Sequence, residues 1–309
     1  MVRKGLLFLV FLFAAGGCSA SATPIPTPAP TLPATPAPMP TPTLAPTPAP
    51  TPAATLTPAP SQASTPADTV AGKGVTLYFE AMDAPDVSAQ TELVTQQGRH
   101  IYIDAFFTDS MARKPNADDV LLITHLHPDH YDETFTRAFP GKKLVAEPGS
   151  IVLPDVRITS IPAAHNPEDQ IQDKDASDYI FLVEIGGLRI VHFGDLGETS
   201  LTDGQMTTLG QVDVAISQLN NPYSEMDLTN RTGFSQMNQV KPRIFIPTHM
   251  WGDPATAQAA VAAWPPGYCS QKPLHLAADK LPKLTTLVLM GNNAADFCPA
   301  LKLKAPPWS

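Results

Sequence analysis

From residue 75 onward, short apolar runs alternate with polar turns, a pattern typical of β-strands interleaved with a few helices. The run Val120-Leu121-Leu122-Ile123 indicates a buried strand. Further strands are predicted at Val75–Ala81, Gln90–Gln96, His100–Asp104, Lys143–Ala146, Val156–Ile161, Tyr179–Ile185, Leu188–Phe193, Val212–Ser217, Arg243–His249 and Thr285–Met290. Helices are predicted at Glu133–Phe139, Leu201–Leu209, Thr232–Val240 and Thr256–Trp264. A turn is predicted at residues 83–86. The pattern therefore favours an α/β domain.

The first 20 residues have the features of an export signal. Arg3 and Lys4 precede an apolar run, Leu6–Ala15, that is too short to span a bilayer as a permanent helix. The run ends in Ala15-Gly16-Gly17-Cys18, which resembles the lipobox of bacterial lipoproteins. We therefore expect Cys18 to be lipidated and the protein to lie outside the cytoplasm, anchored in the cell envelope. The alternative is an ordinary secretory signal cut near residue 20 or 22.

Residues 21–69 are dominated by proline, threonine and alanine, and no charged residue occurs between Ser19 and Ala67. Such a segment cannot bury a core, and proline removes the donors that helices and sheets need. We predict a disordered stalk that holds the following domain away from the membrane; a tail without a spacing role is the alternative. The predicted organisation is a signal peptide at 1–20, the stalk at 21–69 and one large domain at 70–309.

Charge and cysteine content narrow the class of partner and the compartment. The net charge of −9 argues against nucleic acid, whose phosphates need clustered basic residues. Only Cys269 and Cys298 remain after Cys18. In an exported domain a disulfide is expected more than a redox pair or a metal clip.

The stretch Thr124-His125-Leu126-His127-Pro128-Asp129-His130 directly follows the predicted strand at Val120–Ile123. Because side chains alternate on an extended chain, His125 and His127 are expected to point the same way. The following turn would bring Asp129 and His130 to a second position nearby. We therefore predict two neighbouring metal positions supplied by one loop.

Three more candidate ligands lie at or near the ends of predicted strands, namely His165, Asp195 and His249. A single histidine in such a place is more often structural than a ligand, so the prediction depends on the whole ordered set. Asp195 lies between glycines, which allow the backbone to come close to an ion.

Other polar residues are expected in supporting or surface positions. His192 is predicted to be packed near the site, and His100 and His275 are predicted to lie on the surface. Asp104 and Asp132 are candidates to orient ligating imidazoles through their second ring nitrogen. For Asp132, simple solvation is an equal alternative.

Two loops are candidates to shape a substrate pocket. Asn220, Tyr223 and Trp251 could line it, with ordinary loop packing as the alternative for each residue. The acidic loop at 168–178 is interpreted as a lid or as a solvated turn.

The order of motifs resembles the metallo-β-lactamase superfamily, and most closely its L-ascorbate-6-phosphate-lactonase-like branch. The motifs that carry the resemblance are Ile103-Asp104, Asp118–His130, Pro162–His165, Gly194-Asp195 and Ile246–His249. The resemblance implies a four-layer αββα sandwich. It also implies one metal held by His125, His127 and His165, a second held by Asp129, His130 and His249, and Asp195 bridging both.

From these features we predict a binuclear metal-dependent hydrolase that attacks an ester, lactone or phosphodiester bond through a metal-bound hydroxide. Zn(II) suits the imidazoles, while the carboxylates also admit Mn(II) or iron. Asp129 is predicted to be catalytic as well as ligating. Two dications, two carboxylates and one hydroxide leave about one positive charge, which favours a small or lipid-like anionic substrate. The alternative function is a non-catalytic metal-binding envelope protein that senses or holds a ligand.

Overall fold

The computed structural model of the chain describes residues 74–79, 89–106, 111, 113–169, 171 and 176–308. The predicted signal segment, the stalk and the turn at 83–86 lie outside the described residues. The strands, numbered in chain order, are β1 (Val75–Phe79), β2 (Thr91–Val94), β3 (His100–Ile103), β4 (Val120–Ile123), β5 (Lys142–Val145), β6 (Gly149–Leu153), β7 (Val156–Ala163), β8 (Asp178–Ile185), β9 (Leu188–His192), β10 (Val214–Gln218), β11 (Ile244–Thr248), β12 (Tyr268–Ser270), β13 (Leu274–Leu276) and β14 (Thr286–Met290). The helices are α1 (Glu133–Ala138), α2 (Asp203–Leu209), α3 (Thr232–Val240), α4 (Pro254–Ala263) and α5 (Gly291–Leu301).

The strands form two sheets that pack face to face. The first has the order β13-β1-β2-β3-β4-β5, and the second has the order β12-β14-β11-β10-β9-β8-β7-β6. Ile103 of the first sheet shares one buried cluster with Phe181 of the second. Tyr102, the neighbour of Ile103 in β3, belongs instead to an outer cluster with Phe139 at the end of α1. Strand alternation thus places one set of side chains between the sheets and the other under the helix.

The outer face of the second sheet is covered by helices. Trp264, at the end of α4, packs its ring against Phe234 of α3 at 5.2 Å and against Phe245 of β11 at 4.9 Å. Such aromatic pairs are worth about 0.5–1.5 kcal/mol each beyond the area that they bury. The resulting layer order is helix, sheet, sheet, helix, which confirms the predicted αββα fold.

Local sequence explains where several helices begin. Asp132 caps α1 by accepting a hydrogen bond from the amide of Phe135, and Asp253 caps α4 ahead of Pro254. Thr202 and Gln205 form a reciprocal capping box at the start of α2. The role of Asp132 is therefore neither of the two that the sequence suggested.

Strand direction sets the location of the functional site. Strands β9, β10 and β11 are mutually parallel, and β7 runs the same way because β8 is antiparallel to both of its neighbours. In the first sheet β3 and β4 are also parallel. The carboxyl ends of parallel strands lie at a common edge, where α/β folds commonly place their ligands.

Four elements are absent from the sequence prediction. Strand β6 pairs with β7 at the edge of its sheet, β12 and β13 have three residues each, and α5 contains Pro299. Cys269 of β12 and Cys298 of α5 form the expected disulfide, with 6.2 Å between their Cα atoms. Among the described residues, no helix is both long and apolar enough to span a membrane.

Candidate metal centre

Three histidines form the first ligand group. His125 and His127 lie on the loop that follows β4, and His165 lies just beyond β7. Their ligand atoms are within 4.8 Å of one another. His125 and His165 are buried, whereas His127 is exposed. Burial and the neighbouring imidazoles of His125 and His165 lower the pKa of His127, which favours the neutral form that binds metals.

Two acids and two histidines form the second group. Asp129 and His130 come from the same loop, His249 follows β11, and Asp195 follows β9. Asp129 Oδ2 lies 3.7 Å from Nε2 of His130 and 3.7 Å from Nε2 of His249. Burial by itself raises the pKa of Asp129, but the nearby imidazoles of His249 and His130 lower it to about 2. This carboxylate is therefore ionised at any physiological pH.

Asp195 lies between the two groups with one oxygen toward each. Its Oδ2 is 3.6 Å from Nε2 of His165 and 4.0 Å from Nε2 of His125. Its Oδ1 is 3.3 Å from Nε2 of His130 and 3.5 Å from Nδ1 of His249. The geometry is that of a carboxylate able to bridge two ions.

Several buried atoms at this point have no hydrogen-bond partner in the described structure. They are Oδ1 of Asp195 and Nε2 of four histidines: His125, His130, His165 and His249. A buried polar atom without a partner costs about 1–3 kcal/mol. Cations placed among these atoms would satisfy them, and imidazole with carboxylate is a donor set that zinc, manganese and iron accept. The residues present therefore fit two divalent metal ions.

Asp104 supports the second group from behind. Its Oδ2 accepts hydrogen bonds from the Thr124 hydroxyl at 2.8 Å and from Nδ1 of His130 at 2.9 Å, and its Oδ1 accepts from the Thr124 amide at 2.8 Å. A carboxylate can only accept, so Nδ1 of His130 carries a proton and Nε2 faces the site. Burial raises the pKa of Asp104, but the charge and hydrogen bond of His130 outweigh it and lower the pKa overall.

A family model described as a β-lactamase superfamily domain matches residues 88–249, a span that includes every ligand described above. The chain belongs to this family. No curated protein matches the sequence of this superfamily member.

The chain is similar to several solved structures. A candidate zinc-dependent hydrolase of the metallo-β-lactamase superfamily from Thermotoga maritima has a TM-score of 0.50 and 19% identity, over 71% of this chain and 98% of that one. A candidate metal-dependent hydrolase from Parabacteroides distasonis has a TM-score of 0.45 and 18% identity, over 71% and 93% of the two chains. A metallo hydrolase from the archaeon Ignicoccus hospitalis has a TM-score of 0.43 and 18% identity, over 62% and 91%.

The Thermotoga structure supports the metallo-β-lactamase fold of this chain, and the two lower scores add nothing to that argument. Together with the family match, the fold supports the predicted assignment as a hydrolase. This β-lactamase superfamily member is a metallo-β-lactamase-fold hydrolase.

Asp178 is a part of the site that the sequence prediction missed. It is fully buried, its Oδ1 lies 3.4 Å from Nδ1 of His125, and neither of its oxygens has a hydrogen-bond partner in the described structure. Since β8 runs opposite to β7, its first residue lies at the edge where the ligand-bearing strands end, and Asp178 pairs with Ala163 two residues before His165. The acidic loop prediction was therefore wrong for Asp178; residues 170 and 172–175 of that loop lie outside the described residues.

Glycines beside Asp195 are required by protein atoms packed against them. A Cβ on Gly194 would lie 2.4 Å from Oδ1 of Asp178, and Gly194 has a φ of +56° that favours glycine. A Cβ on Gly197 would lie 1.9 Å from the carbonyl oxygen of His165. Close packing between neighbouring site loops thus explains both glycines.

The remaining histidines have distinct places. His192 is buried near the site, as predicted; its Nδ1 accepts from the Gly194 amide at 3.2 Å, so Nε2 donates to the Ala89 carbonyl at 2.8 Å. His275 is exposed, as predicted. The surface prediction for His100 was wrong, because its ring is buried and contacts Glu92. His100 follows Gly98 and Arg99 in sequence, which conceals that its ring is covered by Glu92 and by Tyr102 on the same face of β3.

The loops after β10 and β11 supply further contacts. Asn221 donates from Nδ2 to Oδ2 of Asp195 at 2.8 Å, a role that the sequence prediction missed. Tyr223 is 69% exposed and its ring lies 5.7 Å from that of Trp251. Asn220 and Trp251 line one cavity, and Tyr223 is not among its lining residues; that this cavity is the substrate pocket stays a prediction.

Proposed function

We propose that the chain is a binuclear metal-dependent hydrolase that cleaves an ester, lactone or phosphodiester bond. The observation that carries the proposal is the position of Asp195, whose two oxygens face two separate ligand groups. A structural carboxylate would need only one set of partners. A bridging carboxylate between two clusters of unpartnered imidazole nitrogens is suited to a pair of ions.

His125, His127 and His165 would hold one ion, and Asp129, His130 and His249 would hold the other. Divalent ions bound there would lower the pKa of water and polarise the bond under attack, with Zn(II) best suited to the imidazoles.

Protein groups around these positions act by orientation. Asn221 fixes Asp195 through its amide, and Asp104 fixes His130. The side chain of Asp129 is 32% exposed, the most open acid of the two groups. We propose that the ionised carboxylate of Asp129, besides ligating a metal ion, accepts a hydrogen bond from the attacking water. This hydrogen bond would direct a lone pair of the water oxygen toward the substrate.

Replacing His127 by Ala tests the proposal directly. Because His127 is exposed, its removal should leave the fold intact while metal bound to the first group is lost. Metal content by plasma mass spectrometry and hydrolysis of bis-p-nitrophenyl phosphate and a panel of lactones should fall together. The control is His275→Ala, an exposed histidine on β13 outside both groups. Full turnover and full metal content in His127→Ala would contradict the assignment.

The same assays distinguish the proposed hydrolase from the alternative function, a metal-binding protein without turnover. A protein that binds metal stoichiometrically but turns over none of the esters, lactones and phosphodiesters would be a metal-binding envelope protein. Efficient opening of a sugar-phosphate lactone would support the L-ascorbate-6-phosphate-lactonase-like branch, which we propose on the motif order from Ile103-Asp104 to Ile246–His249.

We also propose that the protein is anchored in the cell envelope through a lipidated Cys18, with residues 21–69 as the stalk. The support is the small-residue sequence before Cys18 and the proline-rich composition that follows. In a bacterial host, wild-type protein should incorporate an alkyne-labelled fatty acid and sediment with membranes. The Cys18→Ser variant should do neither, and continued labelling would remove the proposed anchor.

A further inference from the structure

A cavity of about 520 Å³ is lined by the loops that follow β10 and β11. Asn220 and Pro222 line it from the loop after β10, and Trp251 lines it from the loop after β11. Both loops also carry site residues: Asn221 contacts Asp195, and the amide of Asn220 donates to the carbonyl of His249 at 2.9 Å. The cavity is therefore placed to receive a part of the substrate that does not react.

One aromatic side chain, Trp251, lines this cavity. The ring of Tyr223, which is not among the lining residues, lies 5.7 Å from that of Trp251 at an angle of 46°. Trp251 has a φ of +47°, a conformation that costs free energy in a bulky residue and that recurs at ligand sites. The face of an indole ring attracts a cation that is placed over it.

The charges that line the cavity have one sign. Glu225 and Asp227 line it, and the described lining residues include no lysine, arginine or histidine. Neither carboxylate forms an ion pair in the part of the chain that the structure describes. Asp227 accepts backbone hydrogen bonds from Thr229 and Asn230 through Oδ1, which fixes its position.

Two further buried acids lie behind the ligand groups, Asp104 beside His130 and Asp178 beside His125. Neither acid was counted in the sequence-based charge of the site. A substrate with a positive group beside its reactive bond would be attracted by Glu225 and Asp227.

We propose that this cavity binds an alkylammonium group, and that the enzyme prefers substrates in which a primary or quaternary amine lies close to the scissile bond. The catalytic half of this proposal rests on the proposed hydrolase function; the binding half does not.

A matched pair of phosphodiesters tests the preference. p-Nitrophenyl phosphorylcholine carries a quaternary ammonium, and p-nitrophenyl 3,3-dimethylbutyl phosphate has the same shape without the charge. Water adds across the phosphorus–oxygen bond of either, releasing p-nitrophenolate and the corresponding phosphate monoester. We expect kcat/KM for the choline ester to exceed that of the isostere, which lacks the ammonium charge, by about tenfold, the size of a good cation–π contact with nearby carboxylates.

Substitutions in the cavity should remove that preference. Glu225→Gln and Trp251→Leu should each bring the ratio of the two substrates toward one. Asp279→Asn is the matched control, since it also removes one exposed negative charge. Its neighbours Ala278 and Pro282 contact Arg243, at the opposite end of β11 from the cavity. A ratio near one in the wild-type protein, or a ratio that Glu225→Gln leaves unchanged, would overturn the proposal.

A binding measurement keeps this inference distinct from the hydrolase proposal. Choline and 3,3-dimethylbutanol are titrated into the full chain by calorimetry, with phosphatidylcholine and phosphatidylglycerol vesicles as a parallel arm. Binding of choline without turnover of either ester supports the cavity and refutes phosphodiester hydrolysis. Equal turnover of both esters without choline binding supports phosphodiester hydrolysis and refutes the cavity proposal. Binding only to phosphatidylcholine vesicles identifies a lipid headgroup as the source of the ammonium, and binding to neither choline nor those vesicles overturns the cavity proposal.

Discussion

Asp104→Asn is the substitution whose effect the structure defines most sharply. The carboxylate is fully buried and accepts three hydrogen bonds, two of them from Thr124 and one from His130. Asparagine retains one acceptor oxygen, which can still serve the Thr124 amide. Its NH₂ group would face Nδ1–H of His130, so a donor would meet a donor.

The expected loss follows from the bonds removed. Two hydrogen bonds to a charged acceptor are worth about 1.5–3 kcal/mol each. Rotation of the Thr124 hydroxyl, so that it accepts a hydrogen bond from the new amide, recovers part of that loss. We therefore expect the free energy of unfolding to fall by about 2–4 kcal/mol. The affinity of the second metal position should fall about 10–100-fold, because His130 loses the group that fixes its tautomer.

Urea unfolding of the metal-free protein measures the first quantity, and competition with a fluorescent chelator measures the second. Asp132→Asn is the matched control, since Asp132 caps α1 and asparagine caps a helix equally well. If Asp104→Asn matched the wild type in both measurements, as Asp132→Asn should, the assignment of Asp104 as the orienting acid would be wrong.

Three further changes have defined outcomes. Asp178→Asn should weaken metal binding at the first group about tenfold by removing the carboxylate behind His125, seen by the same chelator competition. Burial raises the pKa of Asp119, but hydrogen bonds from an arginine and two backbone amides lower it below the ordinary 3.8. The ionised carboxylate therefore stabilises the fold above about pH 4, and this stabilisation is lost as the pH falls. In urea unfolding at several pH values, Asp119→Asn should be less stable than the wild type at pH 7 and should lose less stability in acid. Replacing Cys269 and Cys298 by serine should lower the free energy of unfolding by about 3–4 kcal/mol on the chain-entropy model, seen as a lower Tm, and an unchanged Tm would refute that estimate.

Most of the sheet framework could be predicted from short-range pattern alone. The run at β4 is apolar on both faces, and β8 and β9 flank the glycine pair at 186–187 as a hairpin. The missed elements lack such signals. Strands β12 and β13 are too short for periodicity to register, and α5 begins with Gly291 and contains Pro299, so its local propensity opposes a helix. Packing of Phe297 and the disulfide to β12 supply what propensity does not.

The convergence of these histidines and acids could be predicted because they occur in a dense motif or at strand ends. The supporting residues could not, since their roles depend on tertiary direction. Asp178 lies at the amino end of a strand and reaches the site only because β8 runs antiparallel between two strands that end there. Asn221 follows β10, a position on the ligand-binding edge, and that placement is the signal that could have identified it. His100 shows that a polar flank does not predict exposure.

Each ligand group takes side chains from both halves of the sandwich. His125 and His127 follow a strand of the first sheet, whereas His165 follows a strand of the second; the other group is divided in the same way. An ion in either group would therefore link the two sheets, and only the native fold would offer it the complete set of ligands. At a free metal concentration one hundred times the dissociation constant, that coupling is worth about 2.7 kcal/mol of resistance to unfolding. Loss of metal would therefore make this protein more susceptible to proteolysis, in addition to removing the proposed hydrolase activity.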